Sequence, residues 1–341
     1  MMETKDIYVF AQQTDSVFEN VVFELLSEAR KLCDTINVTL PDFKVVALLL
    51  GYSVKNNVKT LFEHGADRVI VCDHPNLAHY STEKYTDVVS QIITTYHPDS
   101  LLIGATVVGR DLAPRIAARV DTGLTADATK IEIDPTGEHP TQLWITRPAF
   151  GGNLFGTIVC PNHRPQMSTI RPNVLDSDFF QHGRTGEILE LEYKNDSESL
   201  VKFLSRIPKE EHGVNIAKAR IIFSGGRGMS GHFDLLEECA RQVGGVVAAS
   251  RGAVDMGEAP KDVQVGQTGK TVRPTLYIAC GISGAVQHTA GMDKSEYIIA
   301  INKDPQAAIF SVATLGIVGD ALEILPHLVE EIQKLQQHSE S

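Results

Sequence analysis

Short apolar segments alternate with amphipathic segments along most of the chain, and this alternation restricts the possible folds more than any other feature. In the first half the predicted strands are Ile7 to Ala11, Val45 to Gly51, Arg68 to Cys72 and Ser100 to Gly104. The predicted helices between them are Val17 to Leu32, Val54 to His64 and Thr82 to Tyr96. Apolar strands that alternate with helices are typical of an α/β domain, in which a parallel sheet carries helices on both faces.

From Ala128 the pattern changes to strand-like segments that Pro and Gly separate. These segments are Lys130 to Ile133, Gln142 to Thr146, Leu154 to Cys160 and Ile188 to Tyr193. Pro and Gly mark turns between neighbouring elements. We therefore expect an antiparallel extension of the same sheet.

The alternation of strands and helices begins again after a polar connection near residue 207. The predicted strands are Ala219 to Phe223, Val246 to Ala249, Thr275 to Ala279, Tyr297 to Ile301 and Ala308 to Ser311. The predicted helices are Asp234 to Val243, Gly284 to Ala290 and Ala321 to Gln336. A chain of 341 residues is long for one core, so two domains are predicted, 1–207 and 208–341.

The charge and the apolar pattern exclude several classes of function. The net charge of −12 argues against nucleic-acid binding, because a phosphate backbone binds basic surfaces. The longest apolar segment, Val45 to Leu50, is far shorter than a membrane span, so no membrane insertion is expected. The N-terminus resembles neither a secretory signal nor a transit peptide. A cytoplasmic location is therefore expected.

The cysteines and histidines give no sign of a metal site. The five cysteines are scattered in apolar segments, and none belongs to a Cys-x-x-Cys pair. The twelve histidines include no His-Glu-x-x-His pair. We expect buried, reduced thiols and no bound metal.

A glycine-rich turn follows the first predicted strand of the second half. Ala219 to Phe223 runs into Ser224 to Gly231, and an amphipathic helix follows. Gly226, Gly228 and Gly231 have the G-x-G-x-x-G spacing of a dinucleotide-binding turn. Such glycines let the backbone approach a pyrophosphate, and the helix N-terminus adds free amides. The spacing also occurs in ordinary tight turns, but its strand–turn–helix context indicates a Rossmann-like, doubly wound domain.

The next strand ends in Ala249-Ser250-Arg251-Gly252, which differs from a nicotinamide-binding domain. Such a domain has an acidic residue here that holds the ribose. A fixed guanidinium beside a hydroxyl instead suits a ligand that gains negative charge, as a reduced flavin ring does. The alternative is that Arg251 is a surface residue in a salt bridge.

Polar or glycine-containing loops follow the later strands as well. They are Gln264 to Lys270, Gly281 to His288 and the segment at Asn302, and Asp320 precedes the last helix as an expected N-cap. Because the carboxyl ends of parallel strands meet at one edge, these loops are expected to form a ligand crevice. No nucleophile elbow, lysine-bearing phosphate loop or acid–base pair is present, so no catalytic residue is predicted. This suits a cofactor with its own redox chemistry.

These segments resemble the alpha subunits of electron-transfer flavoproteins, and the resemblance covers essentially the whole chain. In the second half it includes Ser224 to Gly228, Ser250-Arg251, Val265 to Lys270, Leu276 to Ala279, Gly281 to His288, Ile301 to Pro305 and Gly316 to Asp320. In the first half it includes Gly109 to Arg115, Gly123 to Asp127, Arg147 to Asn153 and Arg164 to Met167. Several long segments in the same order make the resemblance specific.

The resemblance implies that the second domain binds FAD. The implied ligands are Arg227, Ser250, Arg251, Val265, Gly266, Gln267, Thr268, Ser283, Gly284, Ala285, Val286, Gln287, His288, Asn302 and Asp320. By the same analogy, Arg251 lies against the isoalloxazine ring and favours its anionic reduced forms. Thr268 with Ser250 would bind near N5, and His288 would lie at the N1 and C2-carbonyl edge. Asn302 and Asp320 would hold the adenosine end.

The resemblance also implies an electron carrier rather than a stand-alone enzyme. The first domain would contact a beta subunit in a heterodimer that exchanges electrons with an acyl-CoA dehydrogenase or a related flavoenzyme. The first domain is most similar to the anaerobic bacterial branch, some members of which bifurcate electrons from NADH towards ferredoxin or flavodoxin. Two alternatives stay open: a self-contained NAD(P)-dependent oxidoreductase that uses the first glycine turn, and a nucleotide-binding assembly protein without a redox role.

The chain departs from the family pattern at three positions. Gly252 stands where alanine is common, and Thr314 and Leu315 stand where an acid and an aromatic residue are usual. None of the three is among the implied FAD ligands. We therefore expect them to affect the reduction potential or partner docking rather than FAD binding itself.

Overall fold

The computed structural model describes residues 4–134, 136–149, 154–194, 201, 203–207 and 215–339. The chain forms two compact units, of which the first contains the described residues up to Arg206 and the second those from Ile207 onwards. Most of the polar connection predicted near residue 207 lies outside the described residues, as does the end of the segment Arg147 to Asn153. Of the helices that the structure describes, none combines the length and the apolar character needed to cross a membrane.

The first unit contains a large parallel sheet and helices on both of its faces. Its strands are β1 (Lys5–Phe10), β2 (Gln13–Thr14), β3 (Val17–Phe18), β4 (Val45–Gly51), β5 (Arg68–Asp73), β6 (Pro98–Gly104), β7 (Leu124–Ala128), β8 (Lys130–Ile133), β9 (Leu143–Ala149), β10 (Leu154–Ile158), β11 (Gln166–Ile170) and β12 (Glu187–Glu190). Its helices are α1 (Asn20–Asn37), α2 (Val58–Glu63), α3 (Thr82–Tyr96) and α4 (Val107–Arg119). The main sheet has the order β12-β5-β4-β1-β6-β11-β7, and all of its pairs are parallel.

The main sheet is buried on both faces, which explains why its central strands are continuous apolar runs. Every residue of β4 and of β6 is buried. Side chains alternate between the faces along a strand. Ile7 and Val45 therefore pack in the cluster that contains α1, whereas Tyr8 and Val46 pack in the cluster that contains α3 and α4. The prediction of an α/β domain with helices on both faces is confirmed.

The antiparallel strands predicted after Ala128 are present, but they do not extend the main sheet. β8, β9 and β10 form a separate three-stranded sheet in the order β10-β9-β8. The main sheet is extended instead by parallel strands, because β11 inserts between β6 and β7 and β12 pairs with β5. The expectation of one continuous sheet is therefore wrong in this respect. Neither β7 nor β11 was predicted from the sequence.

The second unit is a doubly wound parallel sheet. Its strands are β13 (Ile221–Gly225), β14 (Val246–Ser250), β15 (Gln264–Val265), β16 (Leu276–Cys280), β17 (Tyr297–Asn302) and β18 (Leu315–Val318). Its helices are α5 (Phe233–Gln242), α6 (Arg251–Asp255), α7 (Val286–Thr289) and α8 (Ala321–Ser339). The order β15-β14-β13-β16-β17-β18 corresponds to 3-2-1-4-5-6 within the unit, the order of dinucleotide-binding domains. The chain direction across the sheet changes between β13 and β16, which makes their carboxyl ends the expected ligand crevice.

The last strand of this sheet is not where the sequence predicts it. Ala308–Ser311, predicted as a strand, forms a 3-10 turn, and the strand is Leu315–Val318. An apolar run of four residues fits either element, so the period of the pattern cannot distinguish them. This 3-10 turn contacts the loop after β16, because Ile309 donates its amide to the Ser283 carbonyl at 3.1 Å.

Candidate functional site

A cavity of about 930 Å³ lies at the carboxyl ends of β13, β14 and β16, where the chain direction across the sheet changes. This volume is within the range of small-molecule and cofactor sites. Three loops supply most of its wall. They are the first glycine turn after β13, the segment of α6, and the second turn, Gly281 to Ala285, after β16.

Most of the site residues predicted from the sequence line this cavity. They are Arg227, Ser250, Arg251, Val265, Gly266, Thr268, Ser283, Ala285, Gln287, His288 and Asn302. The wall does not include Gln267, Gly284, Val286 or Asp320. Gly284 and Val286 lie within the second turn and helix α7, next to residues that do line the cavity.

Eight further residues line the cavity without being among the implied FAD ligands: Gly226, Gly228, Gly252, Asp255, Met256, Gln264, Gly281 and Ile282. All but Asp255 and Met256 lie in segments that the sequence had already singled out, so these two were missed. Asp255 and Met256 lie on or just after α6, a five-residue helix that was not predicted. The spacing of Asp255 four residues after Arg251 was the available signal, since residues i and i+4 share one face of a helix.

The first glycine turn uses its glycines for close packing between loops. A Cβ on Gly226 would lie 2.2 Å from the Gly281 carbonyl oxygen, and one on Gly228 would lie 2.9 Å from the Gly281 Cα. The two backbone amides are also occupied. Gly226 donates to the Cys280 carbonyl at 2.9 Å and Gly228 donates to the Gly281 carbonyl at 3.2 Å. The glycines therefore join the ends of β13 and β16 rather than leaving amides free for a phosphate.

A carboxylate occupies the remaining part of the first turn. Glu258 accepts a hydrogen bond from the Gly231 amide at 3.0 Å and another from the Ser230 hydroxyl. These hydrogen bonds, first that from Ser230, lower the pKa of Glu258. An ionised side chain of the protein thus stands where a nucleotide phosphate binds in an ordinary dinucleotide-binding turn.

The second turn, in contrast, presents unpaired amides. No residue in the described part of the chain accepts a hydrogen bond from the amides of Ser283, Gly284 or Ala285. Gly284 has φ +87°, and successive amides can converge on one point where such a left-handed residue interrupts the backbone. Buried backbone donors are nearly always paired, and of these three residues Gly284 is buried while Ser283 and Ala285 are exposed at the cavity. The second turn is therefore the better candidate for holding an anion.

His288 lies buried at the edge of the cavity and is neutral at physiological pH. Its Nε2 is 3.1 Å from the Tyr277 hydroxyl, whereas its Nδ1 has no hydrogen-bond partner among the described residues. Burial lowers the pKa of His288 to about 4, and an interaction with the Val265 backbone, which lies outside ordinary hydrogen-bond geometry, opposes this shift. An unpaired buried ring nitrogen costs about 1–3 kcal/mol, which a ligand with a matching polar atom would recover.

Arg251 stands at the first position of α6, facing the cavity, and its side chain is 68% exposed. The Ser250 hydroxyl caps this helix by accepting from the Ala253 amide at 3.4 Å. The Arg251 Nε is 3.4 Å from an Asp255 oxygen, a weak pair between exposed groups. The alternative interpretation as a surface salt bridge is thus partly correct, yet the pair itself lies in the cavity wall.

The remaining predicted polar residues have structural partners of their own. The Thr268 hydroxyl accepts from the side-chain Nε2 of Gln264 at 2.9 Å, and the side-chain Nδ2 of Asn302 donates to the Ile282 carbonyl at 2.9 Å. Asp320 caps α8 by accepting from the Leu322 amide at 3.1 Å, as predicted from the sequence. Asp320 also pairs with Lys303 at 2.8 Å, which lowers its pKa.

The low pKa of His288 predicts a pH dependence of stability. An unfolded chain protonates this side chain near pH 6.5, whereas the folded unit does so near pH 4. Its contribution to stability is therefore complete above pH 6.5 and is lost as the pH falls towards 4. Between pH 7 and 5 the free energy of unfolding of the second unit should fall by about 2 kcal/mol more than that of a His288→Gln variant. Urea unfolding followed by hydrogen exchange of the β16 amides measures this difference, and equal losses in both proteins would contradict the assignment.

Comparisons with known proteins agree on one family. A family model described as electron transfer flavoprotein domain matches residues 7–196, and one described as electron transfer flavoprotein FAD-binding domain matches residues 215–293. The electron transfer flavoprotein subunit alpha of Thermoanaerobacterium thermosaccharolyticum is 50% identical over 98% of this chain and 100% of its own length.

Two relatives with other names are less similar but also match nearly the whole chain. The acryloyl-CoA reductase electron transfer subunit beta of Anaerotignum propionicum is 43% identical over 97% of this chain and 96% of its own length. The lactate dehydrogenase (NAD(+),ferredoxin) subunit LctC of Acetobacterium woodii is 39% identical over 96% of this chain and 77% of its own length.

Proposed function

The chain belongs to the electron-transfer flavoprotein family as an FAD-binding alpha subunit that pairs with a beta subunit, and from this premise we propose that it exchanges electrons with an acyl-CoA dehydrogenase or a related flavoenzyme through an FAD held in the cavity of the second unit. The observation that carries the proposal is the convergence of α6, the second turn and His288 on one cavity at the switch point of the sheet. Bound FAD supplies the redox chemistry, and the chain supplies binding, orientation and charge.

The groups around the cavity fit the parts of FAD. The unpaired amides of Ser283, Gly284 and Ala285 suit the pyrophosphate, because backbone N–H groups are good phosphate donors. The unpaired Nδ1 of His288 suits a polar edge of the ring system. Arg251 supplies the positive charge that favours a ring gaining electrons. These assignments agree with the roles that the family resemblance implies for these residues.

The other predicted ligands are proposed to have secondary roles. Thr268 and Ser250 each keep a hydroxyl proton that can be donated to the ring, since the hydrogen bonds described for them use the oxygen as acceptor. Asn302 and Asp320 shape the loop and helix ends at the far side of the site. The lining residues Arg227, Val265, Gly266 and Gln287 complete the proposed FAD contacts, whereas Gln267 and Val286, also implied as ligands by the resemblance, lie next to the wall and not in it.

The structure of the first glycine turn argues against the rival in which this chain binds NAD(P) by itself. The amides of Gly226, Gly228 and Gly231 all donate to acceptors of the protein. The Glu258 carboxylate would also repel a pyrophosphate at this turn. A nicotinamide dinucleotide would therefore lose both the donors and the positive end on which such sites depend.

The first domain is proposed to contact the beta subunit through its antiparallel sheet. β10 is an edge strand in this sheet, and four neighbouring apolar side chains are exposed: Leu154, Phe155, Ile158 and Val159. Side chains alternate along a strand, so Leu154 and Ile158 lie on one face and Phe155 on the other. Exposed apolar side chains at a strand edge are typical of an interaction site. Since the family forms heterodimers, the beta subunit is the partner that we assign to this surface.

A charged substitution in this surface should weaken the heterodimer. Phe155 is 68% exposed, so Phe155→Asp should leave the fold of the subunit intact while placing a charge in the buried contact. We expect at least about tenfold weaker association with the beta subunit, measured by analytical ultracentrifugation. Val38→Asp, at a residue that is 84% exposed after α1, is the matched control and should change nothing. Unchanged affinity for both variants would place the contact elsewhere.

Electron bifurcation is a second candidate function, which the name of one relative favours. LctC is described as part of a lactate dehydrogenase that uses NAD(+) and ferredoxin. If the present chain functions in this way, its heterodimer would take electron pairs from NADH and direct one electron to ferredoxin or flavodoxin. The beta subunit would then hold a second FAD.

Copurification with the beta subunit tests the proposed function and separates the two candidates. One FAD per heterodimer that is reduced by an acyl-CoA dehydrogenase and its substrate supports the simple carrier. Two FADs, with NADH-dependent reduction of ferredoxin, support bifurcation. A heterodimer without flavin would contradict both. A cytoplasmic location, on the grounds of the acidic net charge, is part of the same proposal.

A further inference from the structure

The short helix α6 carries two of the charged residues in the cavity wall and cannot hold its own position. It contains five residues, with Arg251 at its start and Asp255 at its end. A helix of this length is not stable by itself, because nucleation costs more than its few hydrogen bonds recover. The position of the Arg251 guanidinium therefore depends on tertiary contacts: Ala253 packs in the core of the unit, and other contacts fix the two ends of α6.

The amino end of α6 is fixed directly. It continues from β14, and the Ser250 hydroxyl caps it. The carboxyl end depends on the segment that follows. Gly257 adopts φ +82° and donates its amide to the Val254 carbonyl at 3.0 Å, and Glu258 donates its amide to the Ala253 carbonyl at 3.1 Å. This is the usual left-handed glycine termination of a helix.

The Glu258 side chain links this helix end to a different strand of the sheet. Its two carboxylate oxygens accept from the Ser230 hydroxyl and from the Gly231 amide, both of which follow β13. The lowered pKa of Glu258 keeps the carboxylate ionised, which strengthens both hydrogen bonds. One residue thus ends α6 with its backbone and anchors it with its side chain.

We propose that Glu258 is a positioning residue that holds α6, and with it Arg251, against the cofactor cavity. The proposal rests on the proposed role of Arg251 towards FAD. Among the described residues, Arg251 has only the weak 3.4 Å pair with Asp255 to direct it, so the backbone of α6 decides where its charge lies. If the carboxyl end of α6 is released, the Arg251 guanidinium occupies a wider range of positions, and its average effect on the flavin becomes weaker.

Two substitutions of Glu258 distinguish anchoring from a simple effect of charge. Removing the negative charge alone should make electron uptake by FAD easier, so an effect through space raises the reduction potential in Glu258→Gln and Glu258→Ala alike. Loss of the anchor acts in the opposite direction. Glu258→Gln keeps one acceptor oxygen for the Gly231 amide and can donate its NH2 group to the Ser230 hydroxyl oxygen, whereas Glu258→Ala removes both links.

The experiment is redox titration of the FAD-loaded heterodimer with these variants. We expect Glu258→Ala to disfavour the reduced form about threefold, which is about 28 mV for a one-electron step, and Glu258→Gln to show no decrease. In an Arg251→Ala background, Glu258→Ala should cause no further decrease, since the charge that it positions is gone. Hydrogen exchange at Ala253 and Glu258 should rise in Glu258→Ala only.

Each other outcome has a distinct meaning. A rise in potential in Glu258→Ala, or a decrease that is the same with and without Arg251, would overturn the positioning role. A lower unfolding temperature with an unchanged potential would reduce Glu258 to a residue that only stabilises the fold. If Arg251→Ala itself leaves the potential unchanged, the proposed role of Arg251 fails, and the Glu258 proposal fails with it.

Discussion

Gly284→Ala is expected to destabilise the FAD-binding unit by more than about 3 kcal/mol and to abolish FAD binding. Gly284 has φ +87°, which L side chains rarely adopt. A Cβ at this position would lie 2.0 Å from the amide nitrogen of Ile309 and 2.4 Å from its Cα. These are backbone atoms of a turn that is itself bonded to the Ser283 carbonyl, so neither neighbour can move without breaking the second turn.

Gly231→Ala is the matched control for this substitution. Gly231 also has a positive φ, +76°, but no atom lies within 4 Å of the Cβ that it would acquire. It should therefore cost only about 1 kcal/mol, from backbone conformation alone. Thermal unfolding and the FAD content of the purified heterodimer measure both effects. Equal destabilisation by the two variants would show that the close approach of Ile309 to Gly284 is not the cause.

Arg251→Ala is expected to lower the reduction potential of bound FAD. A unit charge about 4 Å from a second charge contributes about 1 kcal/mol in water and about 4 kcal/mol near a protein surface of lower dielectric. The Arg251 side chain is 68% exposed, so solvent screening favours the lower part of this range, about 1–2 kcal/mol. For a one-electron step this corresponds to a decrease of roughly 45–90 mV.

Two further variants control for net charge. Arg241→Ala removes the same charge from the exposed end of α5, outside the cavity wall, and should leave the potential nearly unchanged. Asp255→Asn removes the opposite charge from the wall and should raise the potential. Spectroelectrochemical titration reports all three values. A similar decrease in Arg241→Ala and Arg251→Ala would show that only the total charge of the subunit matters.

Much of the second unit could be predicted from the sequence because its signals are local. Buried parallel strands are apolar runs, and the loops after them contain glycines or polar residues. The strands β13, β14, β16 and β17 were therefore placed within about two residues. The family resemblance then supplied the cofactor, and the family comparisons confirm the FAD-binding assignment.

Which of the two glycine turns has unpaired amides could not be predicted, because the answer depends on contacts between distant segments. Gly226 and Gly228 have the spacing of a phosphate-binding turn, yet they are glycines because the Gly281 backbone lies against them. Glu258, which occupies the first turn, is 27 residues from Gly231 in sequence. No local pattern contains that contact.

Helix α4 shows the same limit in the first unit. It contains Gly109 and Pro114, residues that normally disfavour a helix interior, so its sequence does not predict one. A Cβ on Gly109 would lie 1.8 Å from the Gly104 carbonyl oxygen, which shows that the helix begins in close contact with the end of β6. Burial of Leu112, Ala113 and Ile116 against the sheet outweighs the poor helix propensity.

The structure accounts for two of the three departures from the family pattern, Gly252 and Thr314. A Cβ on Gly252 would meet the side chain of Arg227 at 3.2 Å, and that flexible chain can shift, so either glycine or alanine fits. Thr314 accepts from the Ile298 amide at 3.1 Å and so bonds to β17 just before β18 begins. The structure gives no reason for leucine at position 315, which is 53% exposed.

The most direct test of the account is an experimental structure of the heterodimer with FAD bound. The account predicts that the FAD pyrophosphate is held by the amides of Ser283, Gly284 and Ala285, while Glu258 remains bonded to Gly231 in the first turn. A pyrophosphate bound at Gly226 to Gly231, with Glu258 displaced, would contradict it.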